Sequence, residues 1–431
     1  MADKVFCDPV YHHIVFDKAA DAILLKLIAC PEVQRLRRIR QLGVSSYTYH
    51  GAEHSRFGHA LGTCHMMTKA LESLDRNQPE LDLPSDVRLA ARCAALLHDT
   101  GHGPFSHLIE RICNRDHEKA TTEIITGDTQ VGKVLRGVSE PFPNLVADLL
   151  DGFHPEHQFL SDLLSSQLDV DRMDFILRDT HYCGVSFGVY DHLRILHTMR
   201  IREFAFDKRL HPVWLLKGSH CVEEFLYARF FMYWTVYYHK TTRGFESLFQ
   251  AILERAKEVA SADLFLPGIQ RLLAGDIPLG DFLRLDDSTM LAQISLWQDS
   301  RDHILANLAH RFLDRDGFKP IGPASLTPDN VNNLGRAQDT MRSMWLDPEY
   351  YLLVNRRQTI AYDYYRPEEE TGERTPKTSI MLEDEHGHRH EIAHKLPGIE
   401  ALGREQSDNT YYYVPREAGE EVFNLLNTLA E

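Results

Sequence analysis

Apolar positions fall into helical spacing over most of the first 260 residues. Ala22, Leu24, Leu25, Leu27 and Ile28 predict a helix over Lys18–Ile28, and Pro31 suits the first turn of a second, running through PEVQRLRRIRQLG to a stop at Gly43. Phe57–Leu74 reads as a helix after the loop YHGAEHS, and Pro84-Ser85 opens another whose apolar face includes Leu89, Cys93, Leu96 and Leu97. Shorter helices are predicted at 105–113, 116–126, 142–151 and 156–166, with a further one starting near Asp171. Residues 200–215 alternate as a β-hairpin does, and the longest helical pattern spans Ser219–Val259 with a ring-rich middle.

The pattern changes after about residue 262. Gly268, Gly275, Pro278 and Gly280 punctuate short helices, and one more helix is predicted at Asp329–Met344. Strand-like pieces follow in YYLLV, TIAYDYY, TSIMLED, HRHEIAHK and TYYYV; EDEHGHRHE reads as a charged hairpin tip and the 366–377 run as an exposed loop. The expectation is a mainly α protein, with a helical core over residues 1–261 and a smaller α+β region over 262–431, packed on the core and involved in assembly. The first residues, MADKVFCDPV, lack the pattern of a secretory signal, and no apolar run reaches the roughly 18 residues a membrane helix needs.

Composition narrows the function classes. A net charge of −16 argues against an extended nucleic-acid surface, because duplex binding rests on neutralising phosphates. It leaves room for a small anionic substrate in a locally positive pocket. The seven cysteines are scattered and form no C-x-x-C pair, which places the chain in the cytoplasm with reduced thiols. Histidine is the residue out of proportion: of 24, eight fall within residues 50–118, namely His50, His54, His59, His65, His98, His102, His107 and His117. Imidazole with carboxylate is the donor set that holds a divalent ion and moves protons near neutral pH. His59 on one helix, the His98-Asp99 pair at the end of another and a downstream Asp would supply such a set, while His107 and Glu110, three apart, share a helical face. For His50, His65, His154, His157 and the His12-His13 pair a surface or core role is the expectation, and His54 is released to structure with them.

The words SRFGHALG (55–62), ALLHDTGHGPFSH (95–107), DHE (116–118), LDVDRMDFILRD (168–179) and ARFFMYWTVYYHKTTR (228–243), with KVFCDP and PEVQRLRRIRQLG before them, resemble the HD-domain superfamily of phosphohydrolases. More narrowly, they resemble its deoxynucleoside triphosphate (dNTP) triphosphohydrolase branch over about residues 4–250. The resemblance implies an HD-type helical core and hydrolysis of dNTP to deoxynucleoside and inorganic triphosphate. The alternatives are another HD-type activity, on nucleoside monophosphates or phosphodiesters, and a nucleotide sensor without turnover. It further implies metal ligands His59, His98, Asp99 and Asp171, with Mn, Fe, Zn or Ni as the ion and Mg accompanying the nucleotide. His107 then matches the catalytic histidine and Glu110 its acidic partner, with His102, His117 and Glu118 beside the α-phosphate. Arg56, Arg172 and Arg229 match phosphate contacts, and Gln41, Leu42, Asp179 and Tyr237 match the sugar end; Tyr233 shares a helical face with Arg229 and Tyr237 and is a further substrate-binding candidate. Lys4, Gln34 and Arg37 match part of an activating-nucleotide site in which Ala29 replaces an Asp; Phe175 and Tyr233 likewise replace a Tyr and a His. A homo-oligomer, dimer or tetramer, is the implied assembly.

Overall fold

Three helices meet where the histidine words expected a site. The Arg56–Asn77 helix lies between the Ser85–Leu97 and Val170–Cys183 helices. It buries Ala60, Leu61, Cys64, Met67, Leu71 and Leu74, while Ala90, Cys93, Ala94 and Leu97 face it from the second helix. The contact with the third helix is close because Gly62 has no side chain: a Cβ there would stand 1.8 Å from Asp174 Oδ1 and 2.5 Å from Arg178 Nη2. This computed structural model describes residues 3–113, 115–152, 154–205, 207–259, 265–324, 331–360, 379–404 and 406–429. The molecule is mainly helical, with small sheets.

Two predicted helices are shorter than their apolar spacing suggests. After Pro31 the helix runs only to Gln34, tightens into a 3₁₀ turn over Arg35–Arg38 and stops at Ile39, which is extended (φ −119°, ψ 116°). A tertiary pairing overrides local propensity here. Arg56 N donates to Ile39 O (2.9 Å), Gln41 N donates to His54 O (2.9 Å), and Arg40 bridges Ser55. The 219–259 pattern is likewise two helices, Ser219–Met232 and Lys240–Glu258. Between them Tyr233–Tyr237 forms a π-turn, with Tyr238 N donating to Tyr233 O (3.0 Å), and His239 caps the second helix by accepting from Thr241 N (3.2 Å). Tyr49 Oη donates to Thr235 O (2.7 Å), serving a carbonyl in the irregular turn. Helices at Gln130–Arg136 and His192–Thr198, and the strand Lys319–Ala324, had no counterpart in the sequence pattern.

The strands tie the ends of the chain into its middle. Lys4–Asp8 pairs antiparallel with His12–Phe16. The 199–215 hairpin is present as Met199–Glu203 and Leu210–Leu215, and Met381–Glu383 adds to it in parallel, opposite Trp214. The expected charged hairpin forms where Met381–Glu383 turns back into Arg389–Glu391. In a separate sheet Gln406–Val414 lies between Lys319–Ala324 and Leu353–Ile360. The 366–377 run lies outside the described residues. One apolar core surrounds the three central helices and also takes in Leu382, Ile392 and Ile399. A second gathers Phe105, Ile109 and Phe245–Ala256 with Trp297, Phe312 and Tyr413, so the Lys240–Glu258 helix packs largely with residues that follow it.

Candidate active site

His59 projects from the Arg56–Asn77 helix, His98 from the residue after Leu97, and Asp171 from the first turn of the Val170–Cys183 helix. His59 Nε2 is 2.9 Å from Asp171 Oδ1 and 3.2 Å from His98 Nε2, and His98 Nε2 is 3.4 Å from Asp171 Oδ1. Two ligands each about 2.1 Å from one ion, at right angles, sit about 3 Å apart, so these spacings suit a shared divalent cation. The second nitrogen of each ring is already engaged. His59 Nδ1 is 2.7 Å from Asp174 Oδ2, and His98 Nδ1 is 2.9 Å from Ala95 O, which fixes both rings with Nε2 facing the common point. Burial alone would lower the His59 pKa, but hydrogen bonding to Asp171 and Asp174 outweighs it and raises the value to about 10. The carboxylates that draw a proton onto His59 would equally stabilise a cation held at Nε2 in its place. Asp99 stands alongside, its Oδ1 3.4 Å from His98 Nε2 and its Oδ2 3.6 Å from His59 Nε2, while Arg56 Nη1 and His102 also bind its carboxylate. Burial works against the Asp99 charge; Arg56, His98 and His102 overcome it and hold the carboxyl well below its usual range.

The Gly-rich word after Asp99 is a turn held from outside. Phe105 and Ser106 adopt positive φ (53° and 54°), Phe105 N donates to Asp287 Oδ1 (2.8 Å), and Arg56 Nε donates to Ser106 Oγ (2.8 Å). The predicted 105–113 helix therefore begins at His107. Its first turn sets His107 Nδ1 3.1 Å from Glu110 Oε2, and Glu110 Oε1 meets His102 Nδ1 at 3.2 Å and His117 Nδ1 at 3.0 Å. Burial opposes the Glu110 charge, but the three imidazoles overcome it and hold the carboxyl far below its usual range. Burial, reinforced by Arg56, lowers His102 to about 4, whereas the Glu110 contact raises His117 against its own burial.

A cavity of about 500 Å³ joins these groups to a different chemistry at its far end. There the buried Asp179 accepts from Tyr237 Oη (2.8 Å) through one oxygen and lies 2.7 Å from His54 Nε2 through the other. Gln41, Leu42, Arg56, His107, Glu118, Phe175 and Tyr233 also line the cavity.

Known proteins share this arrangement's sequence. The HD domain matches residues 56–176 and the HD associated region residues 190–340. Uncharacterized protein YwfO of Bacillus subtilis is 38% identical over 417 residues, covering 95% of this chain and 92% of its own. The chain belongs to the HD-domain superfamily of phosphohydrolases. The mouse deoxynucleoside triphosphate triphosphohydrolase SAMHD1 is 30% identical over 249 residues, half of this chain but only 37% of the mouse protein. A phosphohydrolase of Bacteroides thetaiotaomicron has the same fold at a TM-score of 0.81 and 29% identity, covering 96% of this chain and all of its own. HD domains bind divalent metals, and the His59, His98 and Asp171 group supplies a fitting donor set.

Several HD-superfamily positions sit differently from the simplest expectation. Arg172 and Arg229 are not among the residues lining the cavity: Arg172 pairs with the buried Asp169, and Arg229 Nη1 donates to Gln167 Oε1 (2.7 Å). Arg229, Tyr233 and Tyr237 still form one line across the π-turn, with the Arg229 guanidinium 5.8 Å from the Tyr233 ring and the two tyrosine rings 5.0 Å apart. Arg37 Nε donates to Gln34 Oε1 (2.9 Å) while its guanidinium covers the Phe57 ring; Lys4 is on the first strand, over Phe6. Sequence reasoning missed Asp174, Arg178 and Asp8. Arg178 Nε and Nη2 both donate to Asp174 (2.8 and 2.9 Å), and Arg178 Nη1 donates to Asp8 Oδ2 (2.8 Å), all of it buried. The signal was available: Asp174 and Arg178 lie three and seven residues after Asp171, on the same helical face. His54 also gains a place in the site, stacked on Tyr182 (4.4 Å) with its edge on Asp179.

Proposed function

We propose that the protein hydrolyses dNTPs to deoxynucleoside and inorganic triphosphate. The observation that carries this reading is the single cavity that runs from the His59, His98 and Asp171 group to the Asp179–Tyr237 pair. A mononucleotide-sized substrate spans such a space, and similarity to the mouse triphosphohydrolase supports the same choice. A divalent ion (manganese or iron, with zinc and nickel as alternatives) held by His59, His98 and Asp171, with Asp99 beside them, supplies phosphate charge neutralisation and activation of water.

The chain's own groups do the rest. His107, oriented by Glu110 through Nδ1, gives its other ring proton to the 5′-oxygen as that oxygen leaves the α-phosphorus. His102, His117 and Glu118 surround the α-phosphate, and Arg56, pinned to Asp99 and Ser106, presents fixed positive charge beside it. Arg172 and Arg229, which pair with Asp169 and Gln167 in the structure, are assigned to the outer phosphates that magnesium would accompany. Asp179, held by His54 and Tyr237, accepts from the sugar 3′-hydroxyl, and Tyr237 and Tyr233 crowd a 2′-hydroxyl, with Gln41 and Leu42 closing the sugar wall. Lys4, Gln34 and Arg37 bind an activating nucleotide in a homo-oligomer, and the seven free thiols support a cytoplasmic setting.

Incubation of the metal-loaded protein with the four dNTPs, singly and mixed, tests this. Nucleoside plus triphosphate is the expected product pair. Orthophosphate or a cleaved diester would replace the reading with another HD-type activity, and tight binding without product would make the protein a sensor.

A further inference from the structure

A second group of ligand-type side chains lies beside the His59, His98 and Asp171 triad and shares no residue with it. His102, His107, Glu110 and His117 each present a donor atom within 4.8 Å of the others. Of the three imidazole contacts to Glu110, only that of His107 has hydrogen-bonding geometry. His102 Nδ1 and His117 Nδ1 are buried and stand 3.2 and 3.0 Å from the buried Glu110 Oε1, yet none of the three atoms has a partner in hydrogen-bonding geometry. Buried polar atoms are rarely left in this state. The His102 and His117 rings are stacked, 4.0 Å apart and 13° from parallel, so both Nδ1 atoms address the same carboxylate oxygen. His102 itself is 1% exposed and cannot turn out to water.

The distances from Glu110 to the three imidazoles, 3.0–3.2 Å, match the separation of neighbouring ligands around an ion. We propose that His102, His107, Glu110 and His117 form a second divalent-cation site, for zinc or cobalt and not for magnesium. Three imidazoles and one carboxylate are the donors that borderline transition ions favour, whereas magnesium requires oxygen. His107 and Glu110 occupy one turn of a helix, His117 starts the next helix, and His107, with 61% of its side chain exposed, is the entry point. An ion here draws Glu110 away from His107. On the acid–base reading above, on which this consequence rests, a filled second site stops turnover.

Cobalt added to the metal-free full-length protein, with bound ions counted by elemental analysis and followed by visible absorption, tests the site without reference to activity. The expected stoichiometry is two ions per chain in the wild type, one in His117→Ala and one in His59→Ala, with circular dichroism showing each variant folded. Glu110→Gln, nearly isosteric, replaces His117→Ala if the latter does not fold, and is likewise expected to hold one ion. One ion in the wild type, lost in His59→Ala and kept in His117→Ala, overturns the second site and leaves the triad standing. Two ions retained in both His117→Ala and Glu110→Gln overturn it as well. One ion lost in His117→Ala and kept in His59→Ala upholds the cluster and removes the triad instead. With the triad loaded with manganese, zinc that fills the second step is expected to cut turnover at least tenfold; a rate that stays flat across that step overturns the inhibitory consequence.

Discussion

His107 is the proposed acid whose environment is most open to test. It is exposed, while the Glu110 that orients it also stands against the His102 and His117 rings. Replacing His107 by Ala is expected to lower kcat by 10² or more while one ion per chain stays bound at the triad, measured by product release and elemental analysis. Loss of that ion together with the rate would make His107 structural. Asp174 works through another residue, His59, so Asp174→Asn is expected to weaken metal affinity by about 10–100-fold, read by competition with a chelator. An unchanged affinity would remove Asp174 from the site. These two residues also show what sequence can reveal. His59, His98, Asp99 and His107 stood in recognisable words because several chemistry-bearing residues share a short stretch. Asp174 lay in such a word too, but its role exists only through an imidazole 115 positions away.

Element by element, propensity served best where a helix was free to follow its own pattern. Arg56–Asn77, Ser85–Leu97 and Val170–Cys183 each lie within a few residues of the expected bounds. It failed where the backbone had a non-local partner, as at Ile39, or where ring-rich sequence hid an irregular turn, as at Tyr233–Tyr237. Nothing in the aromatic spacing distinguishes a continuous helix from one that carries an extra residue per turn. The close approach at Gly62 offers a test on this scale. Gly62→Ala would drive a methyl group into Asp174 and Arg178, and a loss of about 1–3 kcal/mol in unfolding free energy is expected, together with weaker metal binding. A fully stable variant with normal metal content would show that the two helices can separate without cost to the site.

Across the whole molecule, the later half of the chain reaches back to shape the earlier. Asp287, at the start of the Asp287–Trp297 helix, accepts from Phe105 N and Arg40 N, joining the Gly-rich turn to the segment that carries Gln41. Burial raises its carboxyl to about 6 despite those hydrogen bonds. A folded-state pKa above the unfolded one contributes stability below about pH 4 that is lost as pH rises through about 6. Measured against Asp287→Asn by denaturant unfolding, the wild type is therefore expected to lose about 3 kcal/mol of relative stability between those limits and nothing further above them. A pH-independent difference would mean that folding leaves the Asp287 pKa unchanged. No composition or spacing pointed to this residue, because its partners are backbone amides about 180 and 250 positions earlier.

The buried chain from His59 through Asp174 and Arg178 ends on Asp8, in the first strand. Without that strand the Arg178 guanidinium would have Asp174 alone to neutralise it, and Asp174 would be pulled from its imidazole. The hairpin at the chain's beginning is thus expected to influence how long an ion stays: damage to residues near position 8, far from any proposed ligand in sequence, should show first as a faster leak of metal from an otherwise folded protein.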